Sequence, residues 1–146
     1  ERMLYNKTPG ALLSNLNLNV HTRGHICRAA LEGIAFSFAY GMEIMQQDAL
    51  TLDVVRAGND NLFRSDIFSQ TVSTLIGKPI EIYNTTGAIG AARAAGIENK
   101  SINDYSQSVA SMDFVSEVLP IKEKQAYIEA YHKWKQELTR ALNNLN

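Results

Sequence analysis

Residues 54–96 read VVRAGNDNLFRSDIFSQTVSTLIGKPIEIYNTTGAIGAARAAG, and this stretch decides the fold. Val54 and Val55 centre a strand expected over 51–57. A polar turn follows at 58–63. A helix is then expected over 65–76, with Ser65 as N-cap, Asp66 in the first turn and Gly77 just past the end. Pro79 opens a short strand over 79–83, at the position where a strand tolerates proline. Thr86 can cap a Gly- and Ala-rich helix over 87–95, closed by Gly96. Strand, polar turn and helix, twice in succession, make the repeating unit of an open α/β sheet. Such sheets hold nucleotides where strand carboxyl ends meet helix N-termini.

The flanks extend that reading. A long helix is expected over 22–46, because Cys27, Leu31, Ile34, Phe38, Met42 and Met45 recur at three- and four-residue steps. Ala29, Gly33, Ser37 and Gly41 make a second stripe of small residues, which suggests a central helix closely packed on more than one side. Cys27 on the apolar stripe reads as a core residue. Leu12, Leu16 and Leu18 alternate with asparagines and suggest a weak strand near 11–18. Ser101 and Asp104 match a capping box for a short helix. Residues 113–119 read as a strand or extended connector. A last helix over 122–143 carries the stripe Tyr127, Tyr131, Trp134, Leu138 and Leu142. The order predicts an α/β domain with parallel strands joined by crossovers.

Composition narrows the function classes. The chain has 146 residues, 45% of them hydrophobic, enough for one ordinary core. A net charge of −1 without a concentrated basic patch argues against nucleic acid. No apolar run approaches the roughly 20 residues needed to cross a bilayer, so no membrane role is expected. The single Cys27 excludes an internal disulfide framework and fits a reducing cytoplasm. The opening Glu-Arg-Met, with no initiator Met, reads as a cut from a longer protein.

The turn at 58–65, GNDNLFRS, has two readings. In one, Gly58 admits a ligand to the backbone, while Asn59 and Asn61 offer amides to a base or ribose and the helix at Ser65 adds free N–H groups. In the other it is an ordinary strand-to-helix turn, built from the residues such turns use. The second turn, around Thr86, reads as mainly packing, its small residues bringing the helix close to the sheet. His21 and His25 are four apart, a spacing that can serve a metal. The sequence between them lacks the Glu of a zinc-protease motif, and capping is the simpler role. Arg28 and Glu32 are placed to pair along one helix face. Asp53, Asp60 and Asp66 lie near the cleft, yet none has a second chemical group at a telling spacing, so no catalytic base is assigned.

Several motifs together carry a resemblance. HTRGHICRAALEGIAF at 21–36 is similar to the long-helix signature of the FGGY carbohydrate kinases. The strand, Gly turn and helix with Gln70, then GKP at 77–79, GAIGAA at 87–92, and Val118-Leu119-Pro120 followed by Tyr127 and Tyr131, resemble that family's carboxy-terminal domain in order and spacing. Within the family the pattern looks most like the xylulose kinases. The resemblance implies an actin-like ATPase (ribonuclease H-like) fold, truncated here at its N-terminal strands, with residues 1–146 forming the carboxy-terminal, nucleotide-side domain. The N-terminal sugar-binding domain would be absent from this chain. It implies transfer of the ATP γ-phosphate to a ketose hydroxyl, D-xylulose first, in xylose metabolism. Ribulose, gluconate or glycerol kinases, or a non-catalytic actin-like module, are the alternatives. ATP and Mg²⁺ are the implied cofactors, with the metal and the general base held mainly upstream, so the fragment alone is expected to be inactive. Matching the family's Gly-rich adenine loop places Gly58, Asn59 and Ser65 at contact positions, and Asn61 joins them on its chemistry. This loop departs from the family's Gly-Gly-Gly or Gly-Gly-Ala. Asn59-Asp60-Asn61 follows Gly58, and the loop is about two residues longer counted back from Gln70. The missing strands would leave a free sheet edge, which also offers a route to a homodimer.

Overall fold

A computed structural model describes residues 2–47, 52–96, 101, 103 and 113–145. Its helices are α1 (Arg23–Gln47), α2 (Asp66–Ile76), α3 (Gly87–Ala95) and α4 (Gln125–Asn143), and its strands are β1 (Val55–Gly58), β2 (Ile80–Tyr83) and β3 (Phe114–Val118). Short 3₁₀ turns lie at Arg2–Leu4 and Asn61–Arg64. The helix expected from Ser101 through Asp104 rests on residues outside the described ones.

The strands form one sheet in the order β1-β2-β3. β1 and β2 are parallel, with Val55 opposite Ile80 and Gly58 opposite Tyr83. β3 runs antiparallel to β2, with Ile80 opposite Val118. This corrects the all-parallel expectation. An antiparallel edge strand with one solvated face is common on otherwise parallel sheets, and strand direction leaves no mark in a five-residue pattern. The strand expected near 11–18 is also absent. Asn15 is left-handed at φ 57°, and the Asn17 side chain accepts from the Asn19 N–H at 3.0 Å. Local side-chain bonds of this kind compete with a ladder.

Alternation puts Val55, Ala57, Ile80, Ile82 and Val118 on the face that meets α1 and α2. There they pack with Ala35, Phe68 and Val72. Each fully buried apolar side chain in this layer is worth about 1.5–3 kcal/mol. The opposite face is polar. Arg56 pairs with Glu81 across the strands at 2.9 Å, and the Tyr83 hydroxyl donates to the same carboxylate at 2.5 Å. The Tyr83 hydroxyl and Arg56 together hold the Glu81 carboxyl below the usual carboxylate range.

α1 is a helix as expected, but its buried face differs from the apolar stripe. Ala35, Phe36 and Ala39 are buried, whereas Cys27, Ile34, Phe38 and Met45 are exposed. Cys27 is therefore not a core residue here. The small stripe is not closely packed among the described residues. A Cβ on Gly33 would meet nothing within 4 Å, and one on Gly41 would meet only the Met3 sulfur, at 3.6 Å. The close approach is made instead by Ala35 to α2 and the sheet, and by Ala39 to α4.

α4 docks through the stripe read from the sequence. Tyr131 is buried and packs with Phe36 and Trp134. Glu43 of α1 completes this joint. It accepts from the Tyr131 hydroxyl at 2.6 Å and from Lys135 Nζ at 3.0 Å, and Lys135 also lies 4.7 Å from the centre of the Tyr131 ring. The Tyr131 hydrogen bond first, and Lys135 after it, hold the Glu43 carboxyl below the usual range. A folded-state pKa below the unfolded one gives stability that is full above the unfolded value, about 4.3, and is lost as pH falls through the folded value. Glu43 is 41% exposed, so the pair is worth only about 0.2–1 kcal/mol. Glu43→Gln should therefore cost little at neutral pH and shrink the loss of stability on acidification, as read by urea denaturation at pH 7 and pH 4. An unchanged acid slope would contradict this role.

Candidate nucleotide site at the strand ends

The two strand ends meet through their backbones. Asn59 N–H donates to the Tyr83 carbonyl at 2.7 Å, and Thr85 N–H donates to the same oxygen at 2.8 Å. Gly58 is fixed by this joint, since a Cβ there would stand 2.3 Å from the Thr85 carbonyl oxygen. The glycine is thus required by the second turn. Sequence reading missed Thr85, although the glycine that ends β1 was its signal.

Beyond Gly58 the chain turns sharply. Asp60 is extended, and Asn61 enters the 3₁₀ segment at φ 48°, in the left-handed region that asparagine tolerates better than most residues. Leu62 and Phe63 point inward and pack against the core. Phe63 meets Phe68 edge-on at 5.2 Å between ring centres and Phe38 at 6.1 Å. Ser65 caps α2, its side chain accepting from Phe68 N–H at 3.5 Å, and Gly77 ends the helix at φ 67°. The cap, the first-turn Asp66 and the glycine stop all match the sequence reading.

The four candidate residues therefore lie along one turn that leads from a strand end to a helix start. Asn59 and Asn61 are exposed, Gly58 and Ser65 half-buried. The two asparagine amides have no protein hydrogen-bond partner among the described residues, so each keeps donors and an acceptor free. The Ser65 oxygen serves the cap, which leaves its proton available to donate. These are neutral groups. Asp66 in the first turn satisfies the positive end of the α2 dipole and repels an anion there. The turn therefore presents neutral donors and acceptors and disfavours an anion.

The remaining candidates take structural roles. His21 Nδ1 accepts from Asn17 N–H at 3.0 Å, and His25 Nδ1 accepts from Thr22 N–H at 3.1 Å, so both rings serve local turns. Among the described residues no group of three His, Cys, Asp or Glu side chains could hold an ion. Arg28 pairs with Glu32 at 2.7 Å. Thr86 caps α3 by accepting from Ile89 N–H at 3.3 Å. The close packing of α3 on the sheet is not observed among the described residues. Residues 87–92 and Ala95 are exposed, a Cβ on Gly87 or Gly90 would meet nothing within 4 Å, and Arg93 ties the helix to Asp113.

The contact at Gly58 gives a direct test. Gly58→Ala should destabilise the full-length protein by about 1–3 kcal/mol, the cost of forcing an extra carbon into filled space. Gly87→Ala, with open space around it, should stay within about 0.5 kcal/mol. Thermal denaturation of both variants reads the difference, and equal shifts would contradict the Thr85 contact.

Known proteins give this geometry its context. The FGGY family of carbohydrate kinases, C-terminal domain, matches residues 3–98. The chain is 31% identical over 124 residues to a glycerol kinase of Pseudothermotoga lettingae, covering 83% of this chain and 25% of that protein. It is 39% identical over 79 residues to a glycerol kinase of Solidesulfovibrio magneticus, covering 52% and 16%. Among solved structures, the xylulose kinase from Rhodospirillum rubrum superposes with a TM-score of 0.70 at 21% identity, over 90% of this chain and 27% of that one. A "xyloylose kinase" from Brucella ovis superposes with a TM-score of 0.69 at 22% identity, over 91% and 28%. At such identity these two structures speak for the mixed α/β fold. The chain spans about a quarter or less of the length of these curated relatives. It belongs to the FGGY family of carbohydrate kinases, as part of their C-terminal domain.

Proposed function

We propose that this chain is the nucleotide-side portion of a kinase that transfers the γ-phosphate of ATP to a hydroxyl of a small sugar or polyol. The observation that carries the reading is the turn at 58–65, which sets unpartnered amides and a capping serine beside the end of a parallel strand. In this reading Asn59 and Asn61 hold the edge of the adenine or the ribose, and Ser65 donates to it. The backbone joint at Gly58 fixes where they stand. The enzyme's work in phosphoryl transfer is positioning and charge stabilisation. This chain supplies the positioning of the nucleoside. Mg²⁺ would neutralise charge on the phosphates, and the described residues offer no cluster to hold it, so no step is assigned to it here. The general base, the Mg²⁺ ligands and the sugar contacts are proposed to lie in the N-terminal part of the full-length protein, which makes this piece inactive alone.

D-xylulose is the acceptor implied by the motif resemblance. Glycerol is the second reading, favoured by the curated relatives that match most of the chain and are named glycerol kinases. Steady-state assays of the full-length protein with ATP against D-xylulose, glycerol, D-ribulose and D-gluconate separate them. Turnover of D-xylulose supports the first reading and turnover of glycerol the second. Turnover of none would overturn the kinase assignment. For the site, Asn59→Ala combined with Asn61→Gly removes both amides and keeps a backbone that suits the left-handed position. The ATP KM should rise about tenfold while the acceptor KM holds. An unchanged ATP KM would show that the nucleotide binds elsewhere.

A further inference from the structure

Ser69 lies one turn into α2, 2% exposed, with no route to any ligand. Its hydroxyl donates to the Phe63 carbonyl at 3.0 Å. Phe63 belongs to the 3₁₀ segment that carries Asn61, and the neighbouring Leu62 carbonyl already accepts from Ser65 N–H at 2.9 Å. The Phe63 ring is gripped edge-on by Phe68 and Phe38. The turn is thus held on its inner side by the ring contacts and by one buried hydroxyl. We infer that Ser69 is a positioning residue for nucleotide binding: its bond to the Phe63 carbonyl sets the shape of the 3₁₀ segment, and with it the place of Asn61 and Asn59. This inference rests on the proposed nucleotide site.

The same helix supplies the control. Ser73, four residues on and equally buried, shares its one hydroxyl proton between the Lys78 carbonyl at 2.9 Å and the Val118 carbonyl at 3.0 Å. It is the same chemistry at the opposite end of α2, away from the turn. Without the Ser69 hydroxyl, the Phe63 carbonyl loses its partner and the 3₁₀ segment can relax. Without the Ser73 hydroxyl, the sheet side of the helix loosens and the turn keeps its bonds. Both losses lower stability, but only the first should reach the nucleotide.

The experiment compares Ser69→Ala and Ser73→Ala in the full-length protein, measuring melting temperature, ATP KM, acceptor KM and kcat. Ser69→Ala should raise the ATP KM about two- to tenfold with the acceptor KM unchanged. Ser73→Ala should lower the melting temperature at least as much and leave the ATP KM within error. Equal changes in ATP KM for the two variants, or none for Ser69→Ala, overturn the inference. If Ser69→Ala does not fold, Ser69→Cys against Ser73→Cys repeats the comparison with near-constant volume and a weaker donor, and the same two outcomes decide. The Asn59 and Asn61 double variant runs alongside. If it raises the ATP KM and Ser69→Ala does not, the inference alone fails. If neither raises it, the nucleotide-site reading fails and the inference falls with it.

Discussion

Four hydroxyls are buried in one short helix, and the structure is arranged so that each has a partner. Ser69, Thr71, Ser73 and Thr74 share the inside of α2 with Phe68 and Val72. A buried hydroxyl without a hydrogen bond costs about 1–3 kcal/mol, more than most single contacts repay. Thr71 turns back on its own helix, to the Ile67 carbonyl at 2.7 Å. The other three reach outward. Ser69 takes the turn after β1, Ser73 takes the entry to β2 and the end of β3, and Thr74 accepts from Ile121 N–H at 3.2 Å on the way to α4. Gln70 adds a bond to the Leu119 carbonyl at 2.6 Å. The helix that starts at the candidate site is therefore the one that ties the sheet to the following helix.

This constraint explains what could be read from the chain and what could not. Helix starts and stops were legible because they depend on neighbours in sequence. Ser65, Gly77 and Thr86 do locally what their chemistry allows. The α4 stripe was legible because Tyr131 and Trp134 repeat at helical spacing and are too large to be left in water. The buried hydroxyls were not, since Ser73 and Thr74 find partners more than 40 residues away. Seen alone they look like a solvent face, while the apolar Leu75 and Ile76 of the same helix are only half-buried. The contact surface of α1 was misread for a related reason. Two apolar-compatible stripes compete on that helix, and the small residues Ala35 and Ala39 face α2, the sheet and α4, while Phe38 stays partly exposed beside Phe63 and Phe68.

At the candidate site the glycine that ends β1 has a structural reason the sequence did not show. Gly58 was read as room for a ligand, whereas the Thr85 carbonyl occupies that side. A glycine can be required at a turn by a neighbouring backbone alone. The two turns that looked like separate loops, one for binding and one for packing, form one backbone unit through the shared Tyr83 carbonyl. The Asn59 N–H bond that joins them, 2.7 Å long, involves main chain only.

The Asn59-Asp60-Asn61 run suits this geometry. A chain leaving Gly58 must clear the Thr85 carbonyl, bend, and still bring Leu62 and Phe63 into the core before Ser65 caps α2. Asn61 makes the bend at a left-handed angle open to few side chains. Asparagine at such a bend holds the backbone path at modest cost and places a polar side chain at its outer edge. Because Asp66 already occupies the positive end of α2, a phosphate gains little from this helix. The proposed ligand of this turn is therefore the uncharged half of a nucleotide. Neutral amides suit it better than bare backbone does, since they present donors and acceptors together.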